Sequence, residues 1–310
     1  MSQNLPATLQ EAIRYFADQQ RCQDLLSAMR WPQGPVCPRC NSLNHGYLKS
    51  RKVYQCKDCR KQYTAKLGTI FEDSPLPLDK WFCALWMITS AKNGVSSYEV
   101  HRALKVTQKT AWFMLHRLRL ALQKGSIDRK LMGDVEVDET YIGGQARNMH
   151  KDKQLKMKRE EGFFRKAVVI GMLERKGEVR TAVINRASAQ LIEQVVKDNV
   201  VPGSNLYSDQ ANAYAKVGKE YAHQVINHAE TYVKGNVHTN CIESYWSLLK
   251  RGIKGTYVSV EPFHLFRYLD EQAFRFNARK DNDQGRFMTA LSQISGKRVQ
   301  YKQLLGQSWN

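Results

Sequence analysis

The sequence predicts an α/β protein whose mixed sheet is preceded by a small cysteine-rich ribbon and a helical segment. Three observations carry this prediction. Paired cysteines lie within residues 37–59, apolar residues recur at helical spacing between residues 76 and 124, and short apolar strands alternate with helices from residue 133 onward. The predicted parts are N-terminal helices at 1–32, the ribbon at 33–67, the helical segment at 76–124, the α/β part at 133–280 and a polar, basic C-terminal tail at 281–310.

The composition indicates a basic globular protein. Its 310 residues include 48 Lys and Arg against 29 Asp and Glu, which gives a formal net charge of +19. No apolar run approaches the roughly 20 residues that a membrane span needs, and no secretory signal is visible at the start. We therefore expect a cytoplasmic protein without a membrane partner. A charge surplus of this size favours nucleic acid as the partner over a basic surface that serves only solubility.

Four of the seven cysteines have the spacing of a structural zinc site. Cys37 and Cys40 form one C-x2-C pair, and Cys56 and Cys59 form the second pair after a hairpin-like segment. Each pair points two thiolates at one position, so the two pairs together complete a tetrahedron around one Zn²⁺. Two disulfides in an exported protein are the alternative. The odd cysteine total and the missing signal argue against them.

The helical segment predicts a helix-turn-helix. Ser96 and Glu99 form a capping box for a short second helix, and Thr107 is placed to cap a longer third helix. Helix, short helix, turn and longer helix is the outline of such a motif. An ordinary helical hairpin between two domains is the alternative. The third helix would contact base edges with its first turn, and the DNA contacts predicted on it are Gln108, Lys109, Thr110 and Arg117.

Three acidic residues of the α/β part indicate a metal site. Asp138 lies inside one predicted strand, Asp209 ends another, and Glu243 lies in the first turns of a helix. Converging carboxylates repel one another unless cations lie between them, so the set implies bound metal. Paired Mg²⁺ ions about 3.5–4 Å apart serve in-line displacement at phosphorus. The alternatives are the polar face of a half-exposed strand for Asp138 and helix capping for the other two acids.

With these motifs the chain resembles insertion-sequence DDE transposases that have an N-terminal zinc ribbon, in the branch related to Merlin elements. The resemblance extends from Val36 to about Asn277. Its motifs are Cys-Pro-Arg-Cys at 37–40, Val-Asp-Glu-Thr-Tyr-Ile-Gly-Gly at 137–144, Tyr-Ser-Asp at 207–209 and His-Thr-Asn-Cys-Ile-Glu-Ser-Tyr-Trp-Ser-Leu-Leu-Lys-Arg at 238–251.

The resemblance implies an RNase H-like catalytic domain with Asp138, Asp209 and Glu243 as the triad that binds Mg²⁺. It also implies that Lys250, two helical turns after Glu243, helps to hold the DNA end, and Arg251 is predicted beside it as a further DNA contact. Asn240 is a second candidate for an oxygen ligand. We favour Glu243 because a carboxylate binds Mg²⁺ more strongly than an amide does.

The function implied by the resemblance is that of a bacterial, nucleoid-associated transposase. Such a protein binds the terminal inverted repeats of its insertion sequence, cleaves DNA strands with about two Mg²⁺ ions and joins the freed end to target DNA. Its expected partners are double-stranded DNA and, on that DNA, further copies of itself. The alternatives are a DNA-binding regulator whose α/β domain only dimerises, and a metal-dependent nuclease without strand transfer.

Overall fold

The computed structural model divides the chain into two compact units. The first unit contains residues 1–124 and 278–310, and the second contains residues 125–277. The basic stretch Arg147–Arg159, which the charge pattern predicts as a loop or hairpin, lies almost wholly outside the described residues. Within the described ranges, no helix has both the length and the hydropathy of a membrane span. The residues described are 5–123, 129–143, 151–152, 155, 166–209, 214, 220–226 and 238–305.

The first unit begins with two helices and a small antiparallel sheet. Helix α1 (Leu9–Phe16) is followed by helix α2 (Gln19–Arg30), which the side chain of Asp18 caps. In the sheet the first two strands form the hairpin predicted between the cysteine pairs, with Tyr47 opposite Tyr54. The three strands pair in chain order and are β1 (His45–Leu48), β2 (Val53–Cys56) and β3 (Gln62–Tyr63).

Three helices occupy the region of the predicted helix-turn-helix. They are α3 (Leu78–Ser90), α4 (Ser97–Leu104) and α5 (Gln108–Leu122). The Ser96 hydroxyl accepts from the Glu99 backbone N–H at 3.2 Å, and the Glu99 carboxylate accepts from the Ser96 N–H at 2.6 Å. The Thr107 hydroxyl accepts from the Thr110 N–H at 3.1 Å. Both predicted caps are confirmed, whereas the use of these helices as a DNA-reading motif stays a prediction.

Arg117 does not lie where a DNA contact requires it. Only 4% of the residue is exposed, and its guanidinium donates to the Glu72 carbonyl at 2.6 Å and lies 5.4 Å from the Trp81 ring centroid. Burial lowers the pKa of Arg117 to about 10. The cause is that α5 packs against α3 and α4, which encloses Arg117 although the sequence predicts it on the exposed side of α5. This correction replaces the predicted DNA contact with a structural role.

The segment predicted as a basic tail contributes a helix to the core of the first unit. Helix α9 (Asp283–Ser292) carries Phe287, which is 1% exposed. The Phe287 ring centroid lies 5.2 Å from that of Phe16 and 5.6 Å from that of Trp86. The polar composition of the segment hides this role, because a short helix needs only a narrow apolar stripe to be anchored. A one-turn helix, α10 (Tyr301–Leu304), follows.

The second unit is a five-stranded mixed sheet with helices on both faces. Its strand order is β6-β5-β4-β7-β8, in which β4 is antiparallel to β5 and parallel to β7. The strands are β4 (Asp134–Ile142), β5 (Ala167–Glu174), β6 (Val179–Ile184), β7 (Asn205–Asp209) and β8 (Ala222–Ile226). The helices are α6 (Ala189–Asn199), α7 (Asn240–Arg251) and α8 (Leu265–Asn277). The predicted α/β fold with a mixed sheet after a cysteine-rich ribbon is confirmed.

The side chains of β5 alternate between two cores. Val168, Ile170 and Met172 pack in the core that contains α6 residues. Val169 and Leu173 pack in the core that contains residues of α7 and α8. This period of two explains the nearly continuous apolar run in the sequence, because both faces of the strand are covered.

Gly171 lets α7 approach the sheet closely. A Cβ atom at this position would lie 2.6 Å from the Trp246 ring and 2.9 Å from Ile242 Cδ1. Gly171 is also the β5 residue that pairs with Asp138 of β4. The absence of a side chain at Gly171 therefore sets how near the Trp246 indole comes to Asp138.

Replacing Gly171 by Ala is expected to destabilise the second unit by about 1–3 kcal/mol, because overpacking would displace Trp246 and α7. Gly46 is the matched control. It lies in strand β1, and a Cβ atom there would meet nothing within 4 Å. Urea unfolding of both Ala variants measures the effect. Equal stability of the two variants would show that α7 does not depend on the space above Gly171.

Candidate active site and zinc centre

Four cysteine thiols converge at the ribbon. The ligand atoms of Cys37, Cys40, Cys56 and Cys59 all lie within 4.8 Å of one another. The Sγ–Sγ distances Cys37–Cys59 and Cys40–Cys56 are both 3.6 Å, close to the edge of about 3.8 Å in a tetrahedron with Zn–S bonds of about 2.3 Å. The Cys59 backbone N–H donates to the Cys56 Sγ at 3.5 Å and lowers the pKa of that thiol. The thiols fit one tetrahedral Zn²⁺, as predicted.

The ribbon has only a small core of its own. Cys37 and Cys56 are fully buried and pack with Tyr63. The Trp31 ring meets the rings of Tyr54 and Tyr63 edge-on, with centroids 5.6 and 5.8 Å apart. Because so small a cluster buries little apolar area, a bound Zn²⁺ would supply much of the folding free energy of the ribbon.

The two predicted strand acids lie on neighbouring parallel strands. Asp138 is in the middle of β4, and Asp209 is the last residue of β7. Burial raises the pKa of Asp138 to about 6, and the negative charges of Asp209 and Glu139 add to this shift. The Trp246 indole Nε1 of α7 opposes it by donating to the Asp138 Oδ2 at 2.9 Å. Glu136 of β4 pairs with Tyr207 of β7, and each lies two residues before one of the acids, so Asp138 and Asp209 lie at the same level of two neighbouring strands.

Glu243 is exposed in the first turn of α7. The Thr239 hydroxyl donates to its Oε1 at 3.0 Å. In the part of the chain that the structure describes, the four cysteines form the only group of three or more metal-binding side chains with all ligand atoms within 4.8 Å. Asp138, Asp209 and Glu243 are thus not gathered at metal-ligand distances.

Glu139 is a further acid beside Asp138 and Asp209 that the sequence analysis does not single out. Burial raises the pKa of Glu139, the Tyr214 hydroxyl opposes this by donating to its carboxylate, and the charge of Asp209 raises it again. The position of Glu139 directly after Asp138 in the sequence is the signal that could have indicated Glu139 as a site residue. Successive residues of a strand point to opposite faces of the sheet. Because both faces of this sheet are covered by helices, Asp138 and Glu139 each point toward a packed layer and not toward open solvent.

The residues predicted at the start of the recognition helix differ in exposure. Lys109 is exposed, and its Nζ lies 5.2 Å from the ring centroid of Tyr301. Gln108 is half-buried and donates from its Nε2 to the Ser97 hydroxyl at 2.9 Å. Thr110 is half-buried as well. Lys109 is therefore the residue of the three that is best placed to meet a phosphate or a base edge.

Two predicted DNA contacts lie at the C-terminal end of α7. Lys250 and Arg251 are both exposed and occupy the last turn of this helix. Lys250 follows Glu243 by seven residues, about two helical turns, so the two residues project from the same side of α7.

Two parts of the chain match models of transposase domains. Residues 130–277, which contain the whole mixed sheet and helices α6 to α8, match the ISXO2-like transposase domain. This part of the chain is therefore similar to transposase domains. Residues 17–62, which contain the four cysteines, match the transposase zinc-ribbon domain. Both matches agree with the resemblance to insertion-sequence transposases that the motifs indicate.

Two proteins are similar to this chain in sequence. An uncharacterized protein in transposable element ISH50 of Halobacterium salinarum is 27% identical over 252 residues, which cover 77% of this chain and 84% of that protein. An uncharacterized transposase-like protein of Haemophilus influenzae is 26% identical over 103 residues, which cover 33% of this chain and 83% of that protein. The names of both relatives refer to transposable elements or transposases.

Proposed function

We propose that the chain is a DDE-type DNA transposase in which Asp138, Asp209 and Glu243 hold catalytic Mg²⁺ ions on an RNase H-like domain. The observation that carries this proposal is that Asp138 and Asp209 lie at the same level of neighbouring parallel strands, where the charge of Asp209 helps to raise the pKa of Asp138. Two carboxylates that repel each other in a half-buried position cost folding free energy. They are also the oxygen ligands that Mg²⁺ prefers. A metal-dependent reaction accounts for a pair that folding alone does not favour.

The residues of the site have separate tasks in this proposal. Bound in a pair, the Mg²⁺ ions would activate the attacking water or 3′-hydroxyl and stabilise the leaving oxygen. The Trp246 indole fixes the Asp138 carboxylate, so one ligand is presented in a defined position. Lys250 and Arg251 contact the phosphates of the DNA end and fix its register without reading its sequence.

Glu243 is the third ligand in this proposal. A carboxylate binds Mg²⁺ more strongly than the amide of Asn240 does. Glu139 is the other acid near the pair, but the hydroxyl of the buried Tyr214 already binds its carboxylate. Glu243 is exposed in the first turn of α7, and Trp246 of the same helix contacts Asp138.

The first unit supplies DNA binding in this proposal. The ribbon and helices α3 to α5 bind the terminal inverted repeats, with Lys109, Gln108 and Thr110 toward the DNA. Transposition joins two element ends to one target, so we propose that several copies of the chain assemble on the DNA. Nucleoid association in a bacterial cell follows from this binding.

Binding to the terminal repeats is expected to weaken at least about tenfold between about 50 and about 200 mM salt, because Lys and Arg release counterions from the phosphates. Lys109→Ala is expected to weaken binding and to lower the salt slope by about one. Lys197→Ala is the control, because Glu193 and Glu220 already pair with Lys197. Fluorescence anisotropy over a salt series measures both variants. Affinity that does not change with salt would contradict the electrostatic account.

The experiment that tests the proposed function is a cleavage and joining assay with the full chain. A labelled duplex that ends in the inverted repeats flanking the reading frame is incubated with protein, Mg²⁺ and a target plasmid. Nicks at the element end and labelled plasmid are expected, and EDTA is expected to abolish both. Tight binding without any cut would indicate the DNA-binding regulator. Cutting without joining would indicate a nuclease.

A further inference from the structure

We infer that Glu136 is a positioning residue that fixes helix α7, with Glu243, against the strand that carries Asp138. With Arg175 it links all three elements that bear the proposed catalytic acids. This inference rests on the proposed function for its consequence in catalysis. The contacts themselves are independent of that function.

Glu136 caps the N-terminus of α7 from a different element of the fold. The side chain of Thr239, the N-cap residue of α7, makes no capping hydrogen bond. Instead the Glu136 Oε2 accepts from the backbone N–H groups of Cys241 and Ile242 at 2.9 and 3.0 Å. These are unsatisfied donors of the first helical turn, and a negative charge there also complements the helix dipole. Glu243 is the next residue along the helix, so the contact fixes the backbone that carries it.

Arg175 holds the other oxygen of Glu136 and extends the network. Its Nε donates to the Glu136 Oε1 at 2.9 Å, and its Nη2 donates to the His238 carbonyl just before α7 at 2.8 Å. The same guanidinium lies 4.1 Å from the ring centroid of Tyr207. The planar fork of Arg suits three such contacts at once, whereas a Lys ammonium does not.

The network reaches each element of the proposed site close to its acid. Glu136 lies two residues before Asp138, on the same face of β4. Tyr207 lies two residues before Asp209 in β7, and its hydroxyl donates to the Asp134 Oδ1 of β4 at 3.1 Å. A displacement of the Glu136–Arg175 pair would therefore shift all three acids relative to one another.

The burial of Glu136 shows that the contact is not a solvated surface feature. The Glu136 side chain is 0% exposed, and that of Arg175 is 14% exposed. A buried ion pair is a costly way to stabilise a fold compared with apolar packing. Such a pair can instead hold the residues of a reactive site in position. In other proteins, mutation of the residues that orient metal ligands reduces metal affinity or activity by about 10–100-fold.

The test compares Glu136→Gln with Glu271→Gln in the full chain. Glu271 is the matched control, because it is also 0% exposed and paired with an arginine, Arg275, within α8. Glu136→Gln is expected to speed hydrogen exchange of the Cys241 and Ile242 amides about tenfold. It is also expected to lower the Mg²⁺-dependent cleavage rate by about 10–100-fold at a temperature where both variants are folded. Glu271→Gln is expected to leave both quantities near those of the wild type.

Arg175→Lys keeps the charge and removes the hydrogen bond to the His238 carbonyl. Its amide exchange and its cleavage rate are expected to lie between those of the wild type and those of Glu136→Gln. This variant carries the test if Glu136→Gln does not fold. The inference would be overturned if Glu136→Gln showed the same amide exchange and the same cleavage rate as Glu271→Gln. If the wild type does not cut DNA at all, the proposed function fails, and the exchange comparison still decides whether Glu136 holds α7.

Discussion

Asp209→Asn is expected to lower strand cleavage and joining by on the order of 10³, about 4 kcal/mol of activation free energy. The substitution removes a metal ligand and its charge and leaves the shape of the side chain nearly unchanged. Binding to the terminal repeats is expected to persist, because Lys109 and the ribbon lie in the first unit. The unfolding temperature without metal is expected to rise, since Asp138 loses a like charge nearby.

Asp198→Asn is the matched control for this variant. Asp198 lies on α6 and accepts a hydrogen bond from Gln194 at the surface. The same cleavage assay, anisotropy measurement and thermal melt are applied to both variants. If Asp209→Asn cut DNA as fast as Asp198→Asn does, Asp209 would be removed from the active site.

Cys56→Ser is expected to abolish zinc binding and to unfold the ribbon. Metal binding contributes on the order of 10 kcal/mol to the folding of structural zinc sites, and Cys56 is both a proposed ligand and part of the small ribbon core. One zinc per chain is expected for the wild type and none for the variant, by atomic emission on protein purified without chelator. DNA-end binding is expected to fall with the zinc content.

Cys83→Ser is the control for the zinc prediction, because Cys83 is a half-buried thiol of α3 outside the four-cysteine group. It is expected to keep one zinc per chain. A wild-type protein without zinc, or a Cys56→Ser protein that retains it, would contradict the assignment of the four cysteines.

The features that sequence predicts well here are local in the chain. The two C-x2-C pairs are decided by spacing within each turn, and the caps at Ser96 and Thr107 are decided by side chains three residues from their partners. The strand character of β5 follows from an apolar run that needs no knowledge of its neighbours. Each of these signals depends on residues that are close in sequence, so no tertiary information is required.

The features that sequence does not predict depend on contacts between distant elements. Glu136 and Cys241 are 105 residues apart, and Asp138 and Trp246 are 108 residues apart. The requirement for glycine at position 171 arises only once α7 lies on the sheet. Arg117 is a further example. Its charge predicts an exposed position, but the packing of α5 buries it. Only the three-dimensional arrangement distinguishes a buried ion pair from a solvated one.

The central claim is that Asp138, Asp209 and Glu243 share bound metal ions, and iron-directed cleavage of the protein backbone tests it most directly. Fe²⁺ replaces Mg²⁺ in the DNA-bound full chain, and ascorbate with peroxide generates hydroxyl radicals that cut the polypeptide beside the bound ion. Mass spectrometry is expected to find cuts near all three residues, suppressed by excess Mg²⁺ and lost in Asp209→Asn. Cuts that avoid these three segments, or that persist in Asp209→Asn, would contradict the assignment.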